Sequence, residues 1–274
     1  MVIERFIIVG FLLLPFGCKG KMMDPLNTSY QRLQAVPQQK WDALAQKKIY
    51  FGHQSVGQNI IEGLEKVLQS SPTIRLNIRE TANPRDFEAP VFAHSRIGKN
   101  RDPKGKIDHF RQLMEGGIGQ TADVVFFKLC YVDVDQASEI ESLIDHYDKA
   151  LSDLKEKFPN LVIIPVTVPL TNATPGIKAK IKRLLGRGPA LKADNIKRNT
   201  INDRMRKKYG AAIWDLADAE ATTSEGTKVA YQDKRGTFSL LNRVYTSDGG
   251  HLNMTGSQVV AINLLLRLAS LDLD

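Results

Sequence analysis

Two stretches of this chain, residues 123–129 (DVVFFKL) and 161–166 (LVIIPV), are apolar at nearly every position. A strand with one wet face alternates apolar and polar residues, so continuous runs like these fit strands covered on both faces. Covering both faces takes amphipathic helices, and the sequence supplies them. Residues 55–69 put Ile60, Ile61, Leu64 and Leu68 on one face, and residues 136–157 space Ile140, Leu143, Ile144, Tyr147, Leu151 and Leu154 by threes and fours. Further β-rich runs lie at 48–52 (KIYFG), 74–78 (IRLNI) and 211–215 (AAIWD). A last helix is expected from about Thr255, which with Gln258 has capping-box spacing. Strand and helix in alternation predict an α/β fold with a five-stranded parallel sheet between two helical layers. Residues 169–190, rich in Pro and Gly, read as an insertion after the fourth strand.

At 274 residues with 42% hydrophobic and 25% charged residues, the chain can bury a full core without disulfides, and its only cysteines are Cys18 and Cys130. One apolar run, residues 6–17, follows Arg5 and precedes Cys18. Twelve residues are short for a membrane span and suit the core of an export signal. With Cys18 directly after Gly17, the segment resembles a bacterial lipoprotein signal, although Pro15 and Phe16 depart from its usual residues. The expected organisation is a signal over 1–17, a tether over 18–37 and one domain over 38–274. The resemblance implies lipidation of Cys18 and an exported protein held at the cell envelope.

The net charge of +8 is local. Residues 178–208 hold twelve Lys or Arg and two Asp, so this stretch carries +10 and the remainder −2. A charge run ordinarily marks a solvated helical face; a contact with a membrane or an anionic polymer is the other reading. Without an aromatic residue before Tyr209 to stack on a base, nucleic acid is not an expected partner.

In a parallel α/β sheet the reactive groups lie beyond the carboxyl ends of the strands. Two motifs fall there. Gly52-His53-Gln54-Ser55-Val56-Gly57 follows the first strand and enters the first long helix. Ser55 is then either a helix cap or a nucleophile beside free helical N–H groups, with Gly57 allowing close approach of a substrate. Ser247-Asp248-Gly249-Gly250-His251-Leu252-Asn253 precedes the last helix, and its glycines permit a turn tight enough for Asp248 to meet His251.

Together these motifs resemble the SGNH (GDSL-type) hydrolase family over residues 46–270. The resemblance implies a flavodoxin-like three-layer sandwich and hydrolysis of acyl or acetyl esters, with Ser55 as nucleophile, His251 as base and Asp248 as its orienting acid. It implies no metal and no cofactor, a small-molecule or carbohydrate ester as substrate, and a monomer. The family's oxyanion-binding Gly maps best onto Gly98, between the second and third strands. Its oxyanion-binding Asn falls at Cys130, whose thiol is a weak donor; Asn100 and Asn172 are possible substitutes. The leading block also departs, having His53-Gln54 before the serine and no Asp.

Other readings remain. An α/β-hydrolase elbow would need Gly at position 53, which is His. A metal hydrolase would use His53, Asp248 and His251. Cys130 as nucleophile would need a histidine beside it, and is better read as a buried thiol. His94, His109 and His146 read as surface or packed residues, and Asp215 and Asp218 as helix caps or site-lining groups. A non-catalytic surface lipoprotein would keep the fold and bind anions through residues 178–208.

Overall fold

A computed structural model describes residues 24–172 and 191–272. The expected signal, Cys18, residues 173–190 of the expected insertion and with them residues 178–190 of the basic segment lie outside the described residues. Among those described, no helix is long and apolar enough to cross a membrane.

The sheet is built from β1 (Lys48–His53), β2 (Ile78–Glu80), β3 (Val91–Arg96), β4 (Val124–Phe127) and β5 (Val162–Ile164). All five are parallel, in the order β2-β3-β1-β4-β5. The expected α/β class and strand number hold, but the membership differs. Residues 91–96 form a strand that apolar patterning does not reveal, because His94, Ser95 and Arg96 fill its second half. The run 74–78 contributes only its last residue to β2. Residues 211–215 contribute one parallel bridge, Val166 to Trp214, and Gly210–Ala212 is a 3₁₀ turn.

Successive side chains of a strand point to opposite faces, and the core divides accordingly. Ile49 and Phe51 of β1, Phe92 of β3, and Val124 and Phe126 of β4 enter one cluster. Tyr50, Val91, Ala93, Val125 and Phe127 enter the other. The first cluster is covered by α1 (Pro25–Gln34), α2 (Gln38–Leu44), α3 (Ser55–Ser70), α7 (Leu216–Ala221) and α8 (Met254–Ala269). The second is covered by α4 (Pro103–Leu113), α5 (Ile140–Lys157) and α6 (Leu191–Tyr209). A short antiparallel hairpin, β6 (Ala230–Asp233) and β7 (Gly236–Ser239), precedes α8.

The expected tether is in part a helix of the domain. Asp24 caps α1, whose Leu33 is buried in the first cluster and which packs against α8. The folded domain therefore includes residues 24–37, which the expected boundary at 38 left out. The cap of α8 is Asn253, which accepts from the Gly256 N–H at 2.9 Å, two residues before the expected Thr255.

The described part of the basic segment, α6, is bound to the body. Arg206 grips Asp215 at 2.6 and 2.9 Å, Arg204 pairs with Glu141, and Lys208 pairs with Asp148. Asp215 also caps α7, so it serves the framework.

The helices α3 and α8 meet through glycine. A Cβ added to Gly63 would lie 2.3 Å from the backbone carbonyl of Ser257. Gly63→Ala must push the two helices apart, and we expect it to destabilise the protein by about 1–3 kcal/mol, the usual cost of overpacking. Chemical denaturation checks this, and an unchanged midpoint would show that the helix pair can shift freely.

Candidate active site

The order of the sheet reverses at β1: the chain builds outward to β3 and β2 on one side and to β4 and β5 on the other. Its carboxyl end therefore opens a crevice. Ser55 stands in it as the first residue of α3. The helix cap is Gln54, and its side chain makes no capping bond. Instead the Gln54 amide donates to the carbonyls of Ile97 at 2.8 Å and Gly98 at 2.9 Å, tying the serine turn to the loop after β3. Ser55 is thus not the cap, and its hydroxyl is directed elsewhere.

That direction is His251. The imidazole Nε2 lies 3.1 Å from Ser55 Oγ, and Nδ1 lies 2.7 Å from Asp248 Oδ2. An ionised carboxylate only accepts, so Nδ1 carries the proton and Nε2 of the neutral ring faces the serine hydroxyl as acceptor. Asp248 also accepts from the backbone N–H groups of Gly250 at 2.9 Å and His251 at 2.8 Å. Partial burial would raise its pKa, but the bonds from His251 and these amides outweigh that and hold it below the usual carboxylate range.

His53 has a framework role. It is fully buried, its Nδ1–H donates to the Gln54 carbonyl at 2.9 Å, and its Nε2 accepts from His94 Nδ1 at 3.0 Å. Burial pushes it down to about 3, so it is neutral at ordinary pH. Gly57 exists to admit this ring: a Cβ there would lie 2.2 Å from His53 Cβ. Gly57 is itself buried, which corrects its expected part in receiving substrate. Among the described residues no group of three or more His, Cys, Asp or Glu is placed to hold a metal ion.

The four candidate oxyanion residues fare differently. Gly98 has φ +53°, and its N–H donates to His109 Nδ1 at 2.8 Å, so it is turned inward. Cys130 is buried, with its thiol 3.7 Å from Lys128 Nζ and its N–H donated to Asp133 at 2.6 Å. Asn100 is exposed, and its carbonyl oxygen is held at 2.9 Å by Lys106 Nζ, which leaves its NH₂ facing the other way. Asn172 is buried and its amide donates to the Leu241 carbonyl at 2.8 Å.

Beneath these loops lies an ion pair with no exposed side-chain surface, Lys106 to Asp133 at 2.5 Å. Asp133 also accepts from the N–H of Arg101 at 2.7 Å. The pair thereby fastens the loop after β3 to the loop after β4.

Sequence reasoning missed one neighbour of His251 and the residue behind that neighbour. The Tyr131 ring meets the imidazole edge to face at 5.7 Å, and a Cβ on Gly250 would lie 2.8 Å from that ring. Arg198 of α6 is 3% exposed and lies 5.9 Å from the Tyr131 ring centre. A charge run gives no signal that one of its members points inward.

No protein-family model matches the chain, and no curated protein does. Solved structures align with most of it. One described as a platelet activating factor from Streptococcus pneumonia is 14% identical, covering 88% of this chain and 95% of its own at a TM-score of 0.48. The periplasmic domain of a lipopolysaccharide acetyltransferase from Salmonella ser. Paratyphi A is 13% identical, with the same coverages and a TM-score of 0.45. A protein from Desulfitobacterium hafniense DCB-2 described as lipolytic and of the G-D-S-L family is 9% identical, covering 81% and 99% at 0.42. At these identities and TM-scores the likenesses say nothing of chemistry, which has to come from the residues.

The buried His53 makes stability depend on pH. Between the ordinary imidazole value of about 6.5 and the native value of about 3, the unfolded chain takes up a proton that the native chain refuses. This residue should therefore cost up to about 1.4 kcal/mol of stability for each pH unit lost below about 6.5. Buried Glu220, pushed up to about 8, acts with the opposite slope above about 4.5 and is common to both proteins compared. Urea midpoints at pH 7.5 and 4.5 should converge less in wild type than in His53→Gln; equal falls in both would rule this out.

Proposed function

We propose that this protein is a serine ester hydrolase of the SGNH type, acting on acyl esters, acetyl esters foremost, of carbohydrates or small alcohols. The observation that carries the reading is one imidazole bonded to Asp248 through Nδ1 and to the Ser55 hydroxyl through Nε2. A histidine held in that tautomer by a carboxylate and facing a serine is the arrangement that activates a weak nucleophile.

The chemistry proceeds in two steps. Ser55 Oγ attacks the ester carbonyl while His251 Nε2 takes the hydroxyl proton, and Asp248 stabilises the imidazolium that forms. The carbonyl electrons move onto oxygen. The uncapped first turn of α3, with the Ser55 N–H, faces this charge. In this reading the Asn100 amide supplies a further donor in place of the family asparagine, because Lys106 fixes its carbonyl end inward. The tetrahedral intermediate collapses, the leaving alcohol takes the proton from His251, and an acyl-Ser55 remains. Water deprotonated by His251 then releases the acid and restores Ser55.

The proposed location is the cell envelope, with Cys18 lipidated as anchor. The non-catalytic alternative asks α6 to offer free cations to an anionic polymer. Pairing of Arg204, Arg206 and Lys208 with acids of the body weighs against that use of the described residues.

Purified wild type should hydrolyse p-nitrophenyl acetate and acetylated sugars, and Ser55→Ala should fall to background; equal rates would sink the reading. Asn100→Ala should lower kcat about 10²-fold, the scale of losing one oxyanion donor, and an unchanged kcat would remove Asn100 from the mechanism. Because Asp248 is held below the ordinary carboxylate range, loss of rate toward acid pH should follow protonation of His251. A kcat/KM that is flat from pH 5 to 8 would contradict its role as base.

A further inference from the structure

We infer that Arg198, a member of the basic run, is a positioning residue for His251: it clamps the two loops that hold the Asp248–His251 turn in place. This inference rests on the hydrolase reading, since it assigns a purpose to the orientation of that imidazole.

Two neighbouring loops support the turn that carries His251. One supplies Tyr131, whose ring lies edge to face with the imidazole and against Gly250 so closely that no side chain fits there. The other supplies Asn172, whose backbone N–H donates to the Gly249 carbonyl at 2.8 Å. Tyr131 opens a single 3₁₀ turn after β4 and Asn172 lies in the loop after β5, so neither support belongs to a strand or an α-helix.

Arg198 reaches both loops. Its Nε donates to the carbonyls of Tyr131 at 2.8 Å and Val134 at 3.0 Å. Its Nη1 donates to the Thr171 hydroxyl at 2.9 Å and to Asn195 Oδ1 at 2.9 Å. Asn195 in turn accepts from the Thr171 N–H at 3.0 Å and donates to the Thr171 carbonyl at 2.6 Å. A planar guanidinium with donors in a fixed fork can satisfy both loops at once, whereas an ammonium on a flexible stem cannot keep that geometry. The charge is matched by Asp194 of α6 at 3.9 Å, Asp135 in the loop after β4, and the Tyr131 ring.

The contrast with Arg204 is instructive. It sits on the same helix, but its partner is Glu141 and its side chain is 47% exposed. Cationic charge on α6 is therefore not what matters; the buried fork is.

The test compares Arg198→Lys, Tyr131→Leu and Arg204→Ala with wild type in the full chain. Readouts are kcat and KM for p-nitrophenyl acetate, labelling of Ser55 by a fluorophosphonate, and circular-dichroism melting to establish the folded fraction. Displacing a catalytic base by about 1 Å costs on the order of 10²-fold in rate. Arg198→Lys and Tyr131→Leu should each lose at least about tenfold in kcat per folded molecule, with KM within about twofold and labelling slowed in proportion. Arg204→Ala should match wild type. Wild-type kcat in folded Arg198→Lys would overturn the inference, as would losses that vanish after correction for unfolded protein. If wild type itself shows no Ser55-dependent hydrolysis or labelling, the hydrolase reading fails, and NMR titration of His251 still decides this one. A midpoint shifted in Arg198→Lys but not in Arg204→Ala supports the positioning; identical midpoints in all three proteins overturn it.

Discussion

Lys106 and Asp133 form an ion pair with no exposed side-chain surface, and the crevice depends on it. Removing either partner leaves a charge in the interior, at a cost of about 3–5 kcal/mol, so the two stay together and hold what they touch. Asp133 takes the N–H groups of Cys130 and Arg101, and Lys106 takes the Asn100 carbonyl oxygen. Gly98 fits above Lys106 only because it has no side chain, since a Cβ would lie 2.6 Å from Lys106 Cγ. The loops after β3 and β4 are therefore a single braced unit. Gln54 joins the serine turn to that unit through Ile97 and Gly98. The walls of the crevice are rigid because buried charge makes any other arrangement expensive.

A second layer of buried polarity lies under the histidine. Arg198, Asn195 and Thr171 bond one another, and Asn202 and Asn199 of the same helix bond the backbones of Val168 and Ser239. Glu220 accepts from the Leu170 N–H at 2.6 Å, and its other oxygen has no hydrogen-bond partner. Buried polar groups are costly unless satisfied and directional when they are. Here, beyond the single 3₁₀ turn at Tyr131–Asp133, they are the means of fixing the segments after β4 and β5. The charge excess of residues 178–208 thus serves in part as internal framework.

How far this organisation can be read from residues depends on the kind of force involved. The central strands at 123–129 and 161–166 are legible because burial on both faces leaves a compositional trace. Ser55, Asp248 and His251 are legible because an Asp and a His sit three residues apart in a glycine turn, and the serine follows a strand. β3 escapes because the paired His53 and His94 are buried polar residues whose bond spans 41 positions. The orientation of Gly98 escapes because its N–H partner is a histidine one element further on. Arg198 escapes because eleven other cations share its segment and only tertiary packing singles it out. Periodicity reports contact with apolar surface; it does not report which polar group finds which partner.

The serine and its histidine are 196 residues apart, one at the head of α3 and the other just before α8. The two helices that carry them are locked by the Gly63–Ser257 contact. Without the last helix and the turn before it, the serine at the head of α3 has no imidazole beside it. In the proposed hydrolase, competence at Ser55 therefore depends on the docking of the final helix, a long-range pairing.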